Sequence, residues 1–233
     1  MGTILAKVNI FVLFFCFSQL SCETKPPTNG LAEAPPRQDT LPPPLQVGAE
    51  RTDTYFPLLT GRRLGLVVNH TSGLGERHLV DSLLAAGFQV TTIFAPEHGF
   101  RGAADAGEHI TDGRDPATGL PIISLYGSHK EPTAADLANI DLLIFDIQDV
   151  GARFYTYIST LHYVLQAGAR HGVPVLVLDR PNPNGHYVDG PVLQTGYESF
   201  IGMHPVPVVH GMTVGEYARM INGEGWLDDH LRA

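Results

Sequence analysis

Two segments of this chain combine a buried apolar run with charged and aromatic side chains. FAPEHGFRG at 94–102 and LLIFDIQDVGARFYTY at 142–157 each begin as an apparent strand and then turn abruptly polar. The polar side chains that follow the two runs most closely are Glu97, His98, Asp146, Gln148 and Asp149. Because open α/β sheets bind ligands at the carboxyl ends of their strands, the two segments predict an active-site cleft with opposed carboxylates.

Glu97 is the leading candidate for acid–base chemistry. It lies beside Phe94, Pro96 and Phe100 in the sequence. Partial desolvation among such groups raises the pKa of a carboxyl group and suits a general acid. The structural alternative is that Glu97 caps the next turn or pairs with Arg101.

The second segment leaves several roles open. Strand alternation places Asp146 and Gln148 on one side, where Asp146 either satisfies backbone N–H groups or helps to bind a ligand. Asp149 or Gln148 would then face the ligand. Arg153 suits bidentate binding of a carboxylate, with an ion pair to Asp149 as the alternative. Tyr157 either stacks on a sugar ring or is a core residue at a helix start.

Further polar groups follow the other predicted strands. Asn69, Arg180, Asn182 and His210 are candidate binding residues, whereas Asp179 is predicted to orient Arg180 or its loop. For His210 the alternative is a loop residue with satisfied hydrogen bonds. The 11 histidines include no HExxH motif and no close pair, so we predict no metal site.

Composition narrows the class of ligand. The 233-residue chain has a formal net charge of −9, which argues against nucleic acid, since nucleic-acid binding needs a basic face. The first predicted strand is not followed by GxGxxG, and no Walker pattern occurs. We therefore expect no nucleotide and no other cofactor.

The N-terminus is predicted to be a lipoprotein-type signal peptide, residues 1–21. Lys7 precedes an apolar run at 8–17, which is too short to span a bilayer but has the length of a signal-peptide core. Cys22 would then be the lipidated first residue, with ordinary secretion as the alternative. Residues 22–50, rich in proline, are predicted to be an extended tether. This arrangement predicts an extracytoplasmic protein anchored to a membrane.

From about Arg51 onward, apolar runs alternate with amphipathic stretches. Continuous Val, Ile and Leu runs are typical of strands buried on both faces, and strand–helix alternation predicts a parallel sheet with right-handed crossovers. We predict an α/β fold, a Rossmann-like parallel sheet flanked by helices, over residues 51–233. Thr133 and Thr213 are predicted N-caps, and Gly172 a C-cap. The predicted strands are 63–69, 89–95, 120–127, 141–147, 173–179 and 206–211. The predicted helices are 77–87, 133–139, 155–171 and 213–221.

Several long motifs in collinear order resemble one family. NHTS, FAPEHGFRG, FDIQDVGARFYTY, LDRPNP and HGMTVGEYA look like the bacterial exo-β-N-acetylmuramidases, NamZ-like proteins formerly of unknown function. The resemblance extends over about residues 56–227. It implies removal of N-acetylmuramic acid from the non-reducing end of peptidoglycan fragments during cell-wall turnover. It also implies a Rossmann-like domain joined to a smaller C-terminal β-rich domain.

The family's EHG glutamate corresponds to Glu97, with His98 beside it. Glycosidases need carboxyl groups to protonate the leaving oxygen and to activate water or attack carbon. We predict Asp149 as the second catalytic group and keep Asp146 in reserve. The lactyl carboxylate of the sugar would give Arg153 or Arg180 a binding role.

Family members continue past the position that matches Leu227, whereas this chain stops at Ala233. We therefore expect the smaller domain to be largely missing, and this chain to be a fragment with weak or no activity. Two alternatives stay open: a non-catalytic lipoprotein that binds cell-wall sugars, and a metal-dependent hydrolase.

Overall fold

The computed structural model describes residues 44–101 and 112–233. The predicted signal peptide, Cys22 and most of the predicted tether lie outside the described residues. None of the helices in the described ranges is long and apolar enough to cross a membrane.

A six-stranded sheet forms the centre of the domain, with the strand order β5-β6-β4-β1-β7-β8. Five strands are parallel, and β5 pairs antiparallel with β6 at one edge. A separate antiparallel hairpin joins β2 and β3. The strands are β1 (Arg63–Val68), β2 (Gly73–Leu74), β3 (Arg77–His78), β4 (Gln89–Ala95), β5 (Gly113–Arg114), β6 (Pro121–Ser124), β7 (Leu142–Asp146) and β8 (Val175–Val177).

Helices cover both faces of the sheet, which explains why its central strands are continuously apolar. Alternate residues of each strand enter opposite cores: Val67 and Phe145 pack in one, Leu66 and Ile144 in the other. The helices are α1 (Thr52–Leu59), α2 (Leu79–Ala85), α3 (Ala134–Leu137), α4 (Tyr157–His171) and α5 (Val214–Glu224). The predicted α/β class with a Rossmann-like sheet is confirmed.

The parallel strands place the polar segments at one edge. Strand order reverses around β1, which pairs with β4 on one side and β7 on the other. In such sheets the crevice at the reversal, beyond the carboxyl ends of the strands, is the usual ligand site. Asn69 follows β1, Glu97 follows β4, and Asp146 ends β7.

Local capping signals agree with the structure. The Thr133 and Thr213 hydroxyls accept bonds from the amides of Asp136 and Glu216, and each pair completes a capping box. Gly172 ends α4 with φ 70°, a left-handed conformation that glycine adopts at little cost.

Two predicted elements are corrected. Residues 206–211 do not form a strand; Val209 makes only isolated bridges, to Ala152 and Asp189. Pro207 lacks the N–H that a ladder needs. The helix predicted from Arg77 begins at Leu79, because Arg77–His78 forms the hairpin strand β3 and the His78 ring accepts from the Val80 amide.

The prediction that the tether reaches Glu50 is also corrected. Residues Gly48–Glu50 form a short 3₁₀ helix. The Gly48 amide donates to the Asp179 carbonyl at 2.6 Å. Ala49 is fully buried, and its carbonyl accepts from the Tyr55 hydroxyl. The packed domain therefore begins before Arg51.

A buried polar chain crosses the core between α4 and α5. His204 is 3.0 Å from His162 and 3.0 Å from the Tyr217 hydroxyl, and it stacks on Trp226 with ring centroids 4.6 Å apart. Desolvation, reinforced by His162, lowers the pKa of His204 to about 3. His204 is therefore neutral in the folded protein at neutral pH.

This histidine should make the fold sensitive to acid. An unfolded histidine titrates near pH 6.5, so between about pH 6.5 and 3 the unfolded state binds the extra proton. The free energy of unfolding should fall with decreasing pH by about 1.4 kcal/mol per unit from this group. Urea unfolding at pH 7, 5.5 and 4.5 measures the slope. His204→Gln cannot titrate, so the slope of the free energy of unfolding against pH should decrease by the contribution of about one bound proton. An unchanged slope would contradict the low pKa assigned to His204.

Candidate active site

Glu97 sits on a tight turn directly after β4. The Gly99 amide donates to the Pro96 carbonyl at 3.1 Å and closes the turn. His98 and Gly99 both have positive φ, 69° and 74°. Positive φ is uncommon for a residue with a side chain and costs about 1 kcal/mol or more. The turn thus carries strain at a residue that the motif predicts to be catalytic.

Glu97 is held by side chains from two other parts of the sheet edge. The Thr156 hydroxyl, just before α4, donates to Glu97 Oε2 at 3.0 Å. Burial raises the pKa of the Tyr126 hydroxyl, and the nearby Glu97 carboxylate raises it further. Arg101, the structural partner considered for Glu97, pairs instead with Asp115 and Asp81.

His98→Gly should stabilise the fold. Glycine adopts positive φ without a Cβ clash, so the free energy of unfolding should rise by up to about 1 kcal/mol. His70 is an exposed turn residue without positive φ, and His70→Gly should be neutral or slightly destabilising. Urea unfolding of both variants checks the pair of signs. A clearly destabilised His98→Gly variant would contradict the strain.

Asp146 and Arg180 form a buried bidentate ion pair. Arg180 Nε and Nη2 lie 2.6 and 2.9 Å from the two carboxylate oxygens, and Nη2 also donates to the Gly73 carbonyl. Both side chains are at least nine-tenths buried. The pair therefore fastens β7 to the loop after β8. This geometry favours a positioning role for both residues over the ligand contact predicted for them.

Three other predicted binding residues hold loops together. The Gln148 side chain donates to the carbonyls of Asp149 and Pro181. The Asn182 side chain donates to Met212 and accepts from Asn184. Arg153 Nη1 donates to the carbonyls of Pro191 and Val206 rather than pairing with Asp149. Their hydrogen bonds explain how the irregular 178–213 segment keeps its shape.

Asp179 has the structural role predicted for it. Its carboxylate accepts from the Arg180 amide, the Thr213 hydroxyl and the Gly215 amide. It thereby caps the start of α5 and fixes the backbone beside Arg180.

Asn69 organises the turn after β1. Its side-chain oxygen accepts from the amide and hydroxyl of Thr71, and the Thr71 hydroxyl in turn accepts from the Gln148 amide. Ser72 bonds to the Asp146 carbonyl and accepts from the Asn69 amide. These bonds join the ends of β1 and β7 at the point where the strand order reverses.

Asp149, His210 and Tyr157 lie behind this edge. Asp149 Oδ2 accepts from the Gly151 amide at 2.7 Å and lies 3.6 Å from His210 Nε2. The Met212 amide donates to His210 Nδ1. Tyr157 packs in the hydrophobic core, as the structural alternative predicts. Its hydroxyl pKa is raised by burial, Asn69 opposes the rise, and the charges of Glu97 and Asp149 add to it.

The site was only partly visible in the sequence. Thr156 and Tyr126, which contact or neighbour Glu97, were not among the predicted binding residues. Thr156 lies within the FYTY motif, which directly follows the charged part of the second segment. This position was the only sequence signal that could have marked Thr156 as a site residue. The contact of Tyr126 with Glu97 depends on β6 pairing with β4, which no local motif reveals.

The described cavities do not include Glu97 among their lining residues. A cavity of about 620 Å³ opens beside β8 and is lined in part by Leu45, Tyr55, Asp179 and Arg180. Across 44–101 and 112–233, no group of three or more His, Cys, Asp or Glu side chains is arranged to hold a metal ion. The candidate site is therefore defined by the polar side chains that follow β1, β4 and β7 at the carboxyl edge of the sheet.

Comparisons with known proteins agree with these motifs. Residues 64–233 match the family model described as "Exo-beta-N-acetylmuramidase NamZ, N-terminal". The chain is 43% identical over 198 residues to the peptidoglycan β-N-acetylmuramidase NamZ of Bacillus subtilis (strain 168), covering 83% of this chain and 48% of the relative.

Two solved structures share the fold. Both are DUF1343 family proteins from Bacteroides fragilis NCTC 9343, each with a TM-score of 0.72. The first is 48% identical, and the match covers 80% of this chain and 49% of the solved chain. The second is 39% identical, and the match covers 78% of this chain and 47% of the solved chain. The chain thus spans about half the length of the relatives that it matches.

Proposed function

This chain belongs to the NamZ exo-β-N-acetylmuramidase family, and from that membership we propose that it hydrolyses the bond between terminal non-reducing N-acetylmuramic acid and the rest of a peptidoglycan fragment. The Bacillus subtilis relative is named for peptidoglycan β-N-acetylmuramidase activity. Cell-wall turnover and recycling would be the setting of the reaction.

One observation carries the proposal: a half-buried glutamate stands on a strained turn at the carboxyl edge of the sheet. Thr156 donates to one of its oxygens, and the Tyr126 hydroxyl lies close to its carboxylate. A positioned carboxyl group that can give a proton to the glycosidic oxygen is the first requirement of glycoside hydrolysis. Glu97 meets this requirement.

The proposed substrate suits the proposed location. Peptidoglycan lies outside the cytoplasmic membrane, so a signal peptide and a lipid on Cys22 would place the domain beside its substrate. Palmitate labelling of the wild-type chain and of Cys22→Ser tests the anchor. We expect labelling and membrane recovery that depend on Cys22.

Chromophore release from an aryl β-N-acetylmuramide tests the activity. The matching N-acetylglucosaminide lacks the lactyl group and controls for general hexosaminidase activity. We expect release that is slow but selective for the muramide. If the chain neither releases chromophore selectively nor binds N-acetylmuramic acid in calorimetry, the proposed function is wrong for this chain.

A further inference from the structure

The arginines near the carboxyl edge of the sheet are already engaged within the protein. Arg180 pairs with the buried carboxylate of Asp146, and Arg153 donates to two backbone carbonyls. Arg101 pairs with two aspartates. The lactyl group of N-acetylmuramic acid is a carboxylate, and a carboxylate is bound most strongly by a cationic donor. A different cation must therefore serve this group.

Lys130 is a cation at the same edge that forms no ion pair within residues 44–101 and 112–233. It lies in the loop that follows β6 and is the only lysine after Lys25. The neighbouring carboxylate of Glu131 is bound by Arg170 instead. The Lys130 ammonium lies 4.8 Å from the centre of the Phe200 ring. An aromatic face attracts the charge and leaves the ammonium N–H donors available to an anion.

The register of two neighbouring strands brings this loop to Glu97. β4 and β6 are parallel, and Ala95 pairs with Ser124. Glu97 and Tyr126 each follow two residues later on their own strands. The Leu125 amide donates to the Ala95 carbonyl at 2.8 Å, so the pairing continues past the end of β6. Glu97 and Tyr126 therefore leave the sheet side by side.

Phe200 places Lys130 on the same side of the sheet as Glu97. Its ring centre lies 6.5 Å from that of Tyr126. Its carbonyl accepts from the Ser159 hydroxyl at 2.6 Å. Ser159 is on the first turn of α4, the helix whose N-cap residue donates to Glu97. One helix start thus holds both the carboxyl group and the ring beneath the ammonium.

These groups are open to a ligand. Glu97, Tyr126, Lys130 and Phe200 are all half-buried, and each keeps part of its surface in solvent. The four-carbon stem of lysine is flexible and carries a compact charge. The ammonium can therefore leave the ring face to meet a carboxylate without rearrangement of the backbone.

We propose that Lys130 binds the lactyl carboxylate of the terminal N-acetylmuramic acid and so selects this sugar over N-acetylglucosamine, which has no such group. The sugar would lie beside Tyr126, with its glycosidic oxygen at Glu97 and its lactyl group at Lys130. This inference rests on the proposed function and names a residue that sets the selectivity of the same site.

Calorimetry with the full chain tests the inference, using N-acetylmuramic acid and its lactyl methyl ester. The ester keeps the sugar and removes the charge. We expect the acid to bind about 10- to 100-fold more tightly than the ester, the usual effect of a hydrogen bond to a charged group. Lys130→Gln should weaken binding of the acid alone and bring the two affinities together. Lys130→Arg keeps the charge and should keep most of the preference.

Arg62→Gln is the matched control. Arg62 is exposed and lies just before β1, at the opposite end of the sheet. Removal of its charge should leave the preference for the acid unchanged. An equal loss of preference in Arg62→Gln and Lys130→Gln would indicate general attraction of the anion and overturn the inference.

The remaining outcomes separate the two proposals. Equal binding of acid and ester by the unmodified chain overturns this inference and leaves the proposed function standing. A preference that survives in Lys130→Gln, with thermal unfolding as the check that the variant is folded, also overturns it. Failure to bind either ligand contradicts both proposals.

Discussion

Glu97→Gln should lower the rate of β-N-acetylmuramide hydrolysis by about 10²- to 10⁴-fold, the usual contribution of a positioned general acid. Glutamine preserves the size of the side chain and can still accept from the Thr156 hydroxyl. It has no proton to give to the leaving oxygen. The variant should therefore fold and bind N-acetylmuramic acid like the unmodified chain, which calorimetry can confirm.

Glu224→Gln is the matched control, because Glu224 is exposed at the end of α5. Chromophore release should be unchanged in this variant. The leaving group offers a second check. A nitrophenolate leaves without protonation, so Glu97→Gln should lower the rate of its release only slightly. With an alkyl or sugar leaving group, which needs a proton, the rate should fall by the full amount. A loss of less than tenfold with a sugar leaving group would remove Glu97 from the acid role.

Arg180→Ala should destabilise the fold by about 3–5 kcal/mol, since it leaves the carboxylate of Asp146 buried without its counter-ion. Asp146 is fully buried. For a chain of this size each kcal/mol shifts the melting temperature by about 2–4 °C. Thermal and urea unfolding should therefore show a fall of at least about 6 °C.

Arg63→Ala provides the comparison. Arg63 also forms a bidentate pair, with Asp141, but both side chains are more than one-third exposed. Solvent screens such a pair, and its loss should cost about 1 kcal/mol or less. Equal destabilisation by Arg63→Ala and Arg180→Ala would refute the structural importance that we assign to the buried pair.

The backbone architecture was readable from the sequence because its signals are local. Apolar runs marked β1, β4 and β7, and a threonine three residues before an acid marked the starts of α3 and α5. The 206–211 segment was wrongly predicted to be a strand because its valines resemble the apolar run of a buried strand. Its hydrogen bonds run instead to scattered backbone groups such as Gly151 and Asp189.

The roles of individual polar side chains were harder to predict because they depend on distant partners. Arg180 meets Asp146 across 34 positions of sequence, so its guanidinium appeared available for a ligand when it is engaged in an ion pair. Gln148 and Asn182 similarly bond to backbone carbonyls of other loops. Motifs locate the edge of the sheet that gathers the candidate residues, whereas only tertiary contacts separate the side chains that are open to a ligand from those that hold loops together.

The contact between Gly48 and Asp179 has a mechanical consequence for any force applied at the N-terminus. A Cβ at Gly48 would lie 2.5 Å from the Asp179 nitrogen, so the two backbones meet as closely as glycine allows. Tension arriving through Pro44 would reach this junction before it reached the sheet. Because Asp179 also caps α5 and precedes Arg180, the junction would pass the load to the loop that holds the carboxyl edge of the sheet. In an experiment that pulls the protein from its N-terminus, the contact between Gly48 and Asp179 should break before the central strands separate.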